Sequence, residues 1–119
     1  MATTFAIPRL MARHKLRYDN IDLWEVHEAF GAQVAANVQL LEDKNHLKKV
    51  GVSFDFGAFP WAHLNPNGGS IAVGHPFGAT GSRIINQATK ELAQMGPGKK
   101  AVVSVCADGG LGTVMLLES

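Results

Sequence analysis

Residues 65–81 constrain the fold of this 119-residue chain more than any other stretch, because they hold five glycines and one histidine within seventeen positions. Apolar residues spaced as on one face of a helix follow directly, from Gly81 to Met95. Glycine adopts positive φ angles and lets a ligand or another backbone segment approach closely. The segment therefore predicts a tight turn that leads into a helix, with His75 beside it as a candidate for chemistry.

His75 is followed by Pro76, and proline suits the first position of a helix because its missing N–H needs no partner there. We therefore expect His75 at a helix N-terminus, where the positive end of the helix dipole disfavours the imidazolium. A neutral imidazole can donate a hydrogen bond to an oxyanion or accept a proton. The same residues also suit a purely structural turn with His75 as a surface side chain, and spacing alone leaves both interpretations open.

Charge and glycine spacing exclude two classes of partner. Eleven basic and ten acidic side chains give a net charge of +1, so the chain lacks the strongly basic surface that is typical of nucleic-acid binders. The spacing of Gly74, Gly78 and Gly81 is GxxxGxxG rather than the dinucleotide motif GxGxxG, and no Lys-Ser or Lys-Thr pair follows it. We expect neither nucleic acid nor a loop-bound nucleotide phosphate.

Cysteine and histidine content argues against a disulfide and a metal centre. Cys106 is the only cysteine, and the five histidines show no spacing typical of metal ligands.

No apolar run approaches the ~18 residues of a membrane span, and no secretory signal is evident. The sequence predicts one soluble intracellular domain over residues 1–119, cytoplasmic or, in a eukaryote, mitochondrial or peroxisomal.

Apolar periodicity predicts a chain that mixes helices with strands. One predicted strand is apolar on both faces, as a buried strand is, and the last two form an antiparallel hairpin around a glycine-rich turn. The predicted helices cover residues 7–14, 30–42 and 81–95, and the predicted strands cover residues 21–26, 101–106 and 112–118.

Two segments are less regular. Pro8 is compatible with the first helix only in its first turn, with Thr3 or Thr4 as the N-cap. Residues 50–56 alternate in a way that hints at a short strand, whereas the aromatic residues near 59–61 suggest a packed loop.

His27 and Cys106 both follow predicted strands, which is where open α/β sheets bind ligands. Each has an ordinary structural interpretation as well. His27 could be a histidine bonded to the backbone, and Cys106 could be an inert core residue, since a lone cysteine often is.

Taken together, these sites resemble the C-terminal catalytic domain of thiolases, the acyltransferases that cleave or form 3-ketoacyl-CoA. Residues 65–81 match the family pattern Asn-x-x-Gly-Gly…Gly-His-Pro…Gly at each defining position. His27-Glu28-Ala29-Phe30 is similar to its Asn-Glu-Ala-Phe block, and Cys106 with Gly109-Gly110 is similar to its Cys-x-Gly-Gly-Gly block. Ketosynthases of the same superfamily resemble the Gly-His block alone.

The resemblance implies an α/β fold: a thiolase-like half-domain with helices packed on a mixed sheet, incomplete on its N-terminal side. It implies that His75 activates a nucleophilic cysteine and donates to a thioester oxyanion. Cys106 would be the acid/base that moves the substrate α-proton, and His27 would hold a water in the same oxyanion site. The backbone amides of Asp108 and Gly109 would serve a second oxyanion hole. Coenzyme A thioesters would be substrates, with no covalently bound cofactor.

The sequence departs from the family pattern in three ways. The nucleophilic cysteine of thiolases lies in an N-terminal domain, and the single Cys106 aligns with the other catalytic cysteine. His27 replaces Asn, a variant that resembles the β-oxidation type associated with the trifunctional complex. Asp108 replaces Gly or Ala. If its carboxylate points inward, a like charge at 4 Å opposes the oxyanion by up to ~4 kcal/mol at an effective dielectric constant of about 20, whereas if it points to solvent the backbone amide alone suffices.

These features predict the C-terminal catalytic portion of a thiolase, inactive alone and completed by an N-terminal segment or partner chain within an oligomer. The alternative is a catalytically silent structural or interaction subunit derived from a thiolase. Three strands are fewer than the five of the family half-domain, so we expect an uncovered sheet edge that pairs with another segment.

Overall fold

The computed structural model describes residues 2–107 and 111–119. Five helices and three strands are interspersed along the described chain, with single 3₁₀ turns at Tyr18–Asn20 and Trp61–His63. The main elements are α1 (Thr3–Arg13), β1 (Leu23–Val26), α2 (Gly31–Glu42), α3 (Lys44–Val50), α4 (Ser70–Val73), α5 (Thr80–Met95), β2 (Lys100–Ala107) and β3 (Leu111–Glu118).

The three strands form one mixed sheet in the order β1-β2-β3. β1 runs parallel to β2, with Val26 opposite Ser104, and β2 runs antiparallel to β3, with Cys106 opposite Gly112. The predicted mixed sheet and the predicted hairpin are therefore confirmed. Because β1 and β2 are parallel, their carboxyl ends lie at the same edge of the sheet, and this edge carries the candidate residues.

Helices cover both faces of the sheet because successive strand residues point to opposite sides. On one face, α5 buries its apolar side against the odd-numbered residues of β1 and β2; this cluster contains Leu23, Ile84, Ala88, Leu92, Ala101 and Val103. On the other face, α1, α2 and α3 pack against the even-numbered residues; the larger cluster there includes Ile7, Met11, Trp24, Val38, Leu41, Leu47 and Val102.

The prediction that Pro8 lies in the first turn of its helix is wrong. α1 begins at Thr3, with Ala2 rather than Thr3 or Thr4 as N-cap, and Pro8 lies inside the helix. Proline has no N–H to donate to the carbonyl four residues earlier, which is that of Thr4. His46 Nε2 lies 3.2 Å from this carbonyl oxygen and can donate to it, so tertiary structure replaces the missing helical bond.

The hint of a strand over residues 50–56 is also wrong, whereas the packed aromatic loop is confirmed. Residues 52–57 form no strand. Phe56 stacks on Tyr18 with ring centroids 4.9 Å apart, and Phe59 contacts Trp24 at 4.7 Å. The alternation of apolar residues therefore reflects insertion of rings into the core rather than sheet pairing.

The helices that follow β1 differ from prediction in two details. Phe30, the first residue of the helix predicted over residues 30–42, instead precedes α2 as its N-cap and is 72% exposed. Helix α3 was not predicted, because its short sequence contributes only His46, Leu47 and Val50 to the core. Within the described residues β3 pairs with β2 alone, which agrees with the expected uncovered edge.

Candidate functional site

His27 lies directly after β1 at the edge of the sheet where β1 and β2 both end. Its N–H donates to the carbonyl of Ser104 at 2.8 Å, which extends the parallel pairing by one step. Its side chain is buried, and Nδ1 lies 3.1 Å from the hydroxyl of Ser70, the first residue of α4. The sheet thus fixes the backbone of His27, and the glycine-rich segment fixes its ring.

Asn65 attaches the glycine-rich segment to the end of β1. Its side chain accepts from the N–H of Val26 at 2.8 Å and donates to the carbonyl of the same residue at 2.9 Å. The amide group therefore acts as a neighbouring strand residue would. Asn65 has a φ of 45°, a left-handed conformation that asparagine tolerates better than most residues.

Glu28 completes this attachment from the strand side. Its carboxylate accepts from Asn65 Nδ2 at 2.7 Å and from the N–H of Ile71 at 3.1 Å. A Cβ built at Gly69 would lie 2.6 Å from the carboxyl carbon of Glu28, so only glycine fits there without displacing the carboxylate. We call Asn65 and Glu28 the strand-end clamp. The clamp explains why the glycine-rich segment has asparagine at position 65 and glycine at position 69.

His75 lies beside His27, with ring centroids 4.4 Å apart and an interplanar angle of 47°. Its Nδ1 is hydrogen-bonded to the hydroxyl of Thr80, the first residue of α5. The hydroxyl of Thr80 also donates to the carbonyl of Pro76 at 3.3 Å. The structure therefore brings together two of the three predicted catalytic side chains, although they are far apart in sequence.

The prediction that His75 lies at a helix N-terminus, with Pro76 as the first helical residue, is wrong. α5 begins at Thr80, after a turn in which Gly78 has a φ of 80°. That left-handed residue interrupts the helical path, so the segment from Pro76 to Ala79 stays a turn. Interaction of His75 with α5 runs through the Thr80 side chain and not through the helix dipole.

The pKa of His27 is lowered from its ordinary value. Burial is the largest cause, because it disfavours the charged imidazolium. The neighbouring charges of His75 and Arg83 lower the pKa further, whereas Glu28 opposes them. The environment of His27 therefore favours the neutral imidazole over the imidazolium.

Cys106 lies on β2 at the same edge of the sheet and is half-buried. Alternation along β2 places it on the face of Ser104, whereas His27 follows the opposite face of β1. Among the residues that the structure describes, no hydrogen bond joins Cys106 to either imidazole. The convergence of all three groups on one pocket therefore stays a prediction. Asp108 and Gly109 lie outside the described residues, and their proposed amide contacts stay predictions too.

A buried polar cluster behind His27 was missed at the level of sequence. Glu25, on the same face of β1, has its pKa raised to about 8, first by burial and then by the neighbouring carboxyl group of Glu91 on α5. Glu91 also accepts from Asn67 Nδ2 at 2.6 Å, which ties α5 to the glycine-rich segment. The spacing of Arg83, Gln87 and Glu91 by four residues is the signal that could have revealed this polar stripe.

Several apolar side chains on the segments that carry the two histidines are exposed. Phe77, whose ring centroid lies 4.9 Å from that of His75, is 89% exposed, and Ile71 and Val73 are 65% and 62% exposed. Contiguous exposed apolar side chains are typical of a binding surface. We call Phe30, Ile71, Val73 and Phe77 the apolar rim.

Within residues 2–107 and 111–119, no group of three or more His, Cys, Asp or Glu side chains is arranged to hold a metal ion. None of the described helices is both long and apolar enough to cross a membrane.

Comparison with known proteins identifies the family of this chain. The family model described as the C-terminal domain of thiolase matches residues 1–119. The chain belongs to the thiolase family. It is 40% identical over 119 residues to 3-ketoacyl-CoA thiolases of Shewanella baltica (strain OS185) and of Shewanella frigidimarina (strain NCIMB 400), and each alignment covers 99% of this chain.

Solved thiolases share the fold. The peroxisomal 3-ketoacyl-CoA thiolase of Saccharomyces cerevisiae, a five-layered structure built from two core domains of identical topology, superimposes with a TM-score of 0.68 and 31% identity over 95% of this chain. A dimeric peroxisomal thiolase of the same yeast superimposes with a TM-score of 0.70 and is 29% identical over 99% of this chain. This thiolase chain spans 27% of the length of the Shewanella relatives and 26–27% of the two yeast structures.

Proposed function

We propose that this chain supplies the acid–base and oxyanion-binding side chains of a 3-ketoacyl-CoA thiolase site that another segment completes. The observation that carries the proposal is the contact between His27 and His75, whose ring centroids lie 4.4 Å apart. Each ring uses Nδ1 for a structural hydrogen bond. Both Nε2 atoms therefore remain available for a substrate or a nucleophile.

In this proposal, thiolysis begins when His75 removes the proton from a cysteine thiol of the completing segment. The thiolate attacks the 3-keto carbon of the substrate, and the electron pair of the C=O bond moves onto the oxygen. His75, now protonated, and a water held by His27 donate hydrogen bonds to this oxyanion. Preorganised donors of this kind stabilise a transition state strongly in a site that excludes water.

The bond between the 2- and 3-carbons then breaks, and its electron pair forms the enolate of acetyl-CoA. Cys106 donates its thiol proton to that enolate carbon, so acetyl-CoA leaves and the shortened acyl group stays on the nucleophilic cysteine. The Cys106 thiolate next takes the thiol proton of a second coenzyme A. The coenzyme A thiolate attacks the acyl thioester, and the C–S bond to the nucleophilic cysteine breaks. The departing cysteine thiolate takes back the proton held by His75, so the shortened acyl-CoA leaves and both cysteines and His75 return to their starting states.

The apolar rim and the single cysteine support the view that the site is incomplete in this chain. The only cysteine, Cys106, has the acid–base role, so the nucleophile must come from elsewhere. Phe77, which contacts the ring of His75, is exposed, as are the other three side chains of the apolar rim. We propose that an N-terminal thiolase segment covers this rim within an oligomer, in the cytoplasm or, in a eukaryote, in a mitochondrion or peroxisome.

Thiolysis of acetoacetyl-CoA tests the proposal. The chain alone should show no turnover, and mixing it with the N-terminal portion of the Shewanella baltica relative should restore it. His75→Ala should abolish the restored activity, whereas His14→Ala, at an exposed histidine outside the site, should leave it intact. Turnover by the isolated chain, or restored turnover that survives His75→Ala, would contradict the proposal.

Asp108 motivates one alternative, a catalytically silent thiolase-derived subunit that acts in assembly. Its carboxylate beside an oxyanion site would oppose negative charge. If the mixture is inactive and Asp108→Gly restores turnover, this residue is the obstacle. If neither combination turns over although the two segments associate, the silent subunit is the correct interpretation.

A further inference from the structure

The hydroxyl of Ser70 has one hydrogen-bond partner among the described residues, His27 Nδ1 at 3.1 Å. Ser70 is only 8% exposed, so little water reaches this hydroxyl. A buried hydroxyl hydrogen requires an acceptor, whereas its oxygen lone pairs tolerate a missing donor better. If Nδ1 carried the proton, the hydrogen of Ser70 would have no acceptor. Satisfying the hydroxyl therefore requires Nδ1 of His27 to be the acceptor.

The hydroxyl of Thr80 has the opposite role toward His75. Its oxygen lies 3.3 Å from the carbonyl oxygen of Pro76, which can only accept, so this hydroxyl has an acceptor other than His75. The oxygen of Thr80 is then free to accept from the Nδ1–H of His75, to which it is hydrogen-bonded. Thr80 is 2% exposed, so this arrangement is sheltered from water.

We propose that Ser70 and Thr80 are positioning residues that hold two adjacent imidazoles in opposite tautomers. His27 carries its proton on Nε2 and presents a donor, while His75 carries its proton on Nδ1 and presents a bare Nε2. The second partner of an imidazole determines which nitrogen is available for chemistry. The inference concerns the resting state of this chain, and its catalytic meaning rests on the proposed function.

The strand-end clamp holds Ser70 and His27 in position relative to each other. Glu28 accepts from the N–H of Ile71 at 3.1 Å, next to Ser70 in sequence, and Asn65 bonds both polar backbone groups of Val26 next to His27. The clamp therefore holds the residue next to Ser70 and the residue next to His27, which fixes the hydroxyl of Ser70 beside Nδ1 of His27. In the proposed site, His27 can then donate to the water that stabilises the oxyanion, and His75 can accept the thiol proton.

Nitrogen NMR of the histidine rings tests this directly, because protonated and bare ring nitrogens have well-separated shifts. The experiment uses the 119-residue chain labelled with ¹⁵N-histidine at pH 8, where an unperturbed imidazole is neutral. We expect a bare Nδ1 for His27 and a bare Nε2 for His75. The spectrum of His27→Asn assigns one pair of signals, and His14→Ala identifies an exposed reference ring.

In Ser70→Ala, the chemical shifts of both ring nitrogens of His27 should move toward the average values of exchanging tautomers. The shifts of the His75 ring nitrogens should change less. Ser70→Thr, which keeps the hydroxyl, should restore the wild-type pattern. Thr80→Val should affect His75 in the same selective way. Backbone amide spectra show whether each variant is folded, and the wild-type assignment decides the matter if Ser70→Ala is not.

Two results would overturn the inference. One is the same tautomer for both rings in the folded wild-type chain. The other is a folded Ser70→Ala variant whose His27 signals do not change. These measurements need no catalytic turnover, so failure of the proposed function would leave the tautomer assignment standing, and failure of the tautomer assignment would leave the thiolase proposal to its own assay.

Discussion

The two histidines of the candidate site are held in contrasting ways. His27 is 5% exposed, continues a parallel strand pairing and adjoins the strand-end clamp. His75 lies in an exposed turn between Gly74 and Gly78, and its neighbour Phe77 is 89% exposed. One half of the site is therefore part of the folded core, whereas the other is shaped by few contacts within this chain.

This difference indicates how such a site can be divided between segments. Residues after a buried strand inherit their positions from the sheet, so His27 can be preorganised without a partner. A glycine-rich turn at the surface can adapt to whatever covers the apolar rim. We expect changes on the His27 side to affect stability strongly, and changes around His75 to affect assembly and turnover more.

The largest expected effect is that of Asn65→Ala, which removes the clamp. Three side-chain hydrogen bonds disappear, and the N–H and carbonyl of Val26 lose their partners. Unsatisfied buried groups cost ~1–3 kcal/mol each, so the free energy of unfolding should fall by ~2–4 kcal/mol in urea denaturation. Asn86→Ala, at an exposed position of α5, is the matched control. Equal effects in the two variants would mean that the clamp does not stabilise the fold.

Glu25→Gln tests the buried cluster behind His27. The pKa of Glu25 rises from 4.5 when unfolded to about 8 when folded, so its stabilising contribution is complete below pH 4.5 and is lost as the pH rises to 8. Glutamine stays neutral. The free energy of unfolding of the variant, relative to that of the wild type, should therefore rise by on the order of 2–3 kcal/mol between pH 5 and pH 8. The measurement is thermal or urea unfolding across this range. Parallel pH profiles for the two proteins would show that Glu25 ionises normally.

Gly69→Ala tests the close approach of the clamp carboxylate. The new methyl group would lie 2.6 Å from the carboxyl carbon of Glu28, so this side chain must turn away and lose its hydrogen bonds to Asn65 and Ile71, at a cost of ~0.5–1.5 kcal/mol each. At the control position Gly81, inside α5, an added Cβ meets no described atom within 4 Å, so Gly81→Ala should stabilise the helix by ~0.5–1 kcal/mol. If both alanine variants changed stability in the same direction, the contact with Glu28 would not explain the glycine.

The smallest expected effect concerns the pH dependence that His27 contributes. Because its folded pKa lies below the ordinary 6.5, the unfolded chain binds the proton first, and stability falls as the pH decreases through 6.5. Arg83, His75 and Glu28 are the charged groups that face this ring. His27→Asn should flatten the profile between pH 7 and pH 5, whereas His14→Asn should not. An unchanged slope in His27→Asn would contradict the lowered pKa.

The sequence predicted the elements whose periodicity is strong, including the hairpin and the long helix after the glycine-rich segment. It failed where a distant partner decides the local structure. Pro8 is accommodated inside α1 because His46 bonds the freed carbonyl of Thr4. Glu25 lies in an otherwise apolar strand because Glu91 meets it from α5. The polar stripe on α5 can be recognised from its spacing, but the partner that each of these two residues meets cannot be predicted from the local sequence.

The site shows the same limit. The three candidate residues could be selected by their resemblance to thiolase motifs, and the structure brings His27 and His75 together as that resemblance implied. The hydroxyls of Ser70 and Thr80, which determine what each imidazole can do, had no role in the sequence argument. Their importance depends on hydrogen-bond geometry, which no local pattern encodes.

The most direct test of the divided site is a crystal structure of this chain assembled with the N-terminal thiolase segment. The account predicts that the cysteine of that segment lies within hydrogen-bond reach of His75 Nε2, with Cys106 Sγ and His27 Nε2 facing the same cavity. A nucleophilic cysteine placed on another face, or an apolar rim still open to solvent in the active assembly, would contradict it.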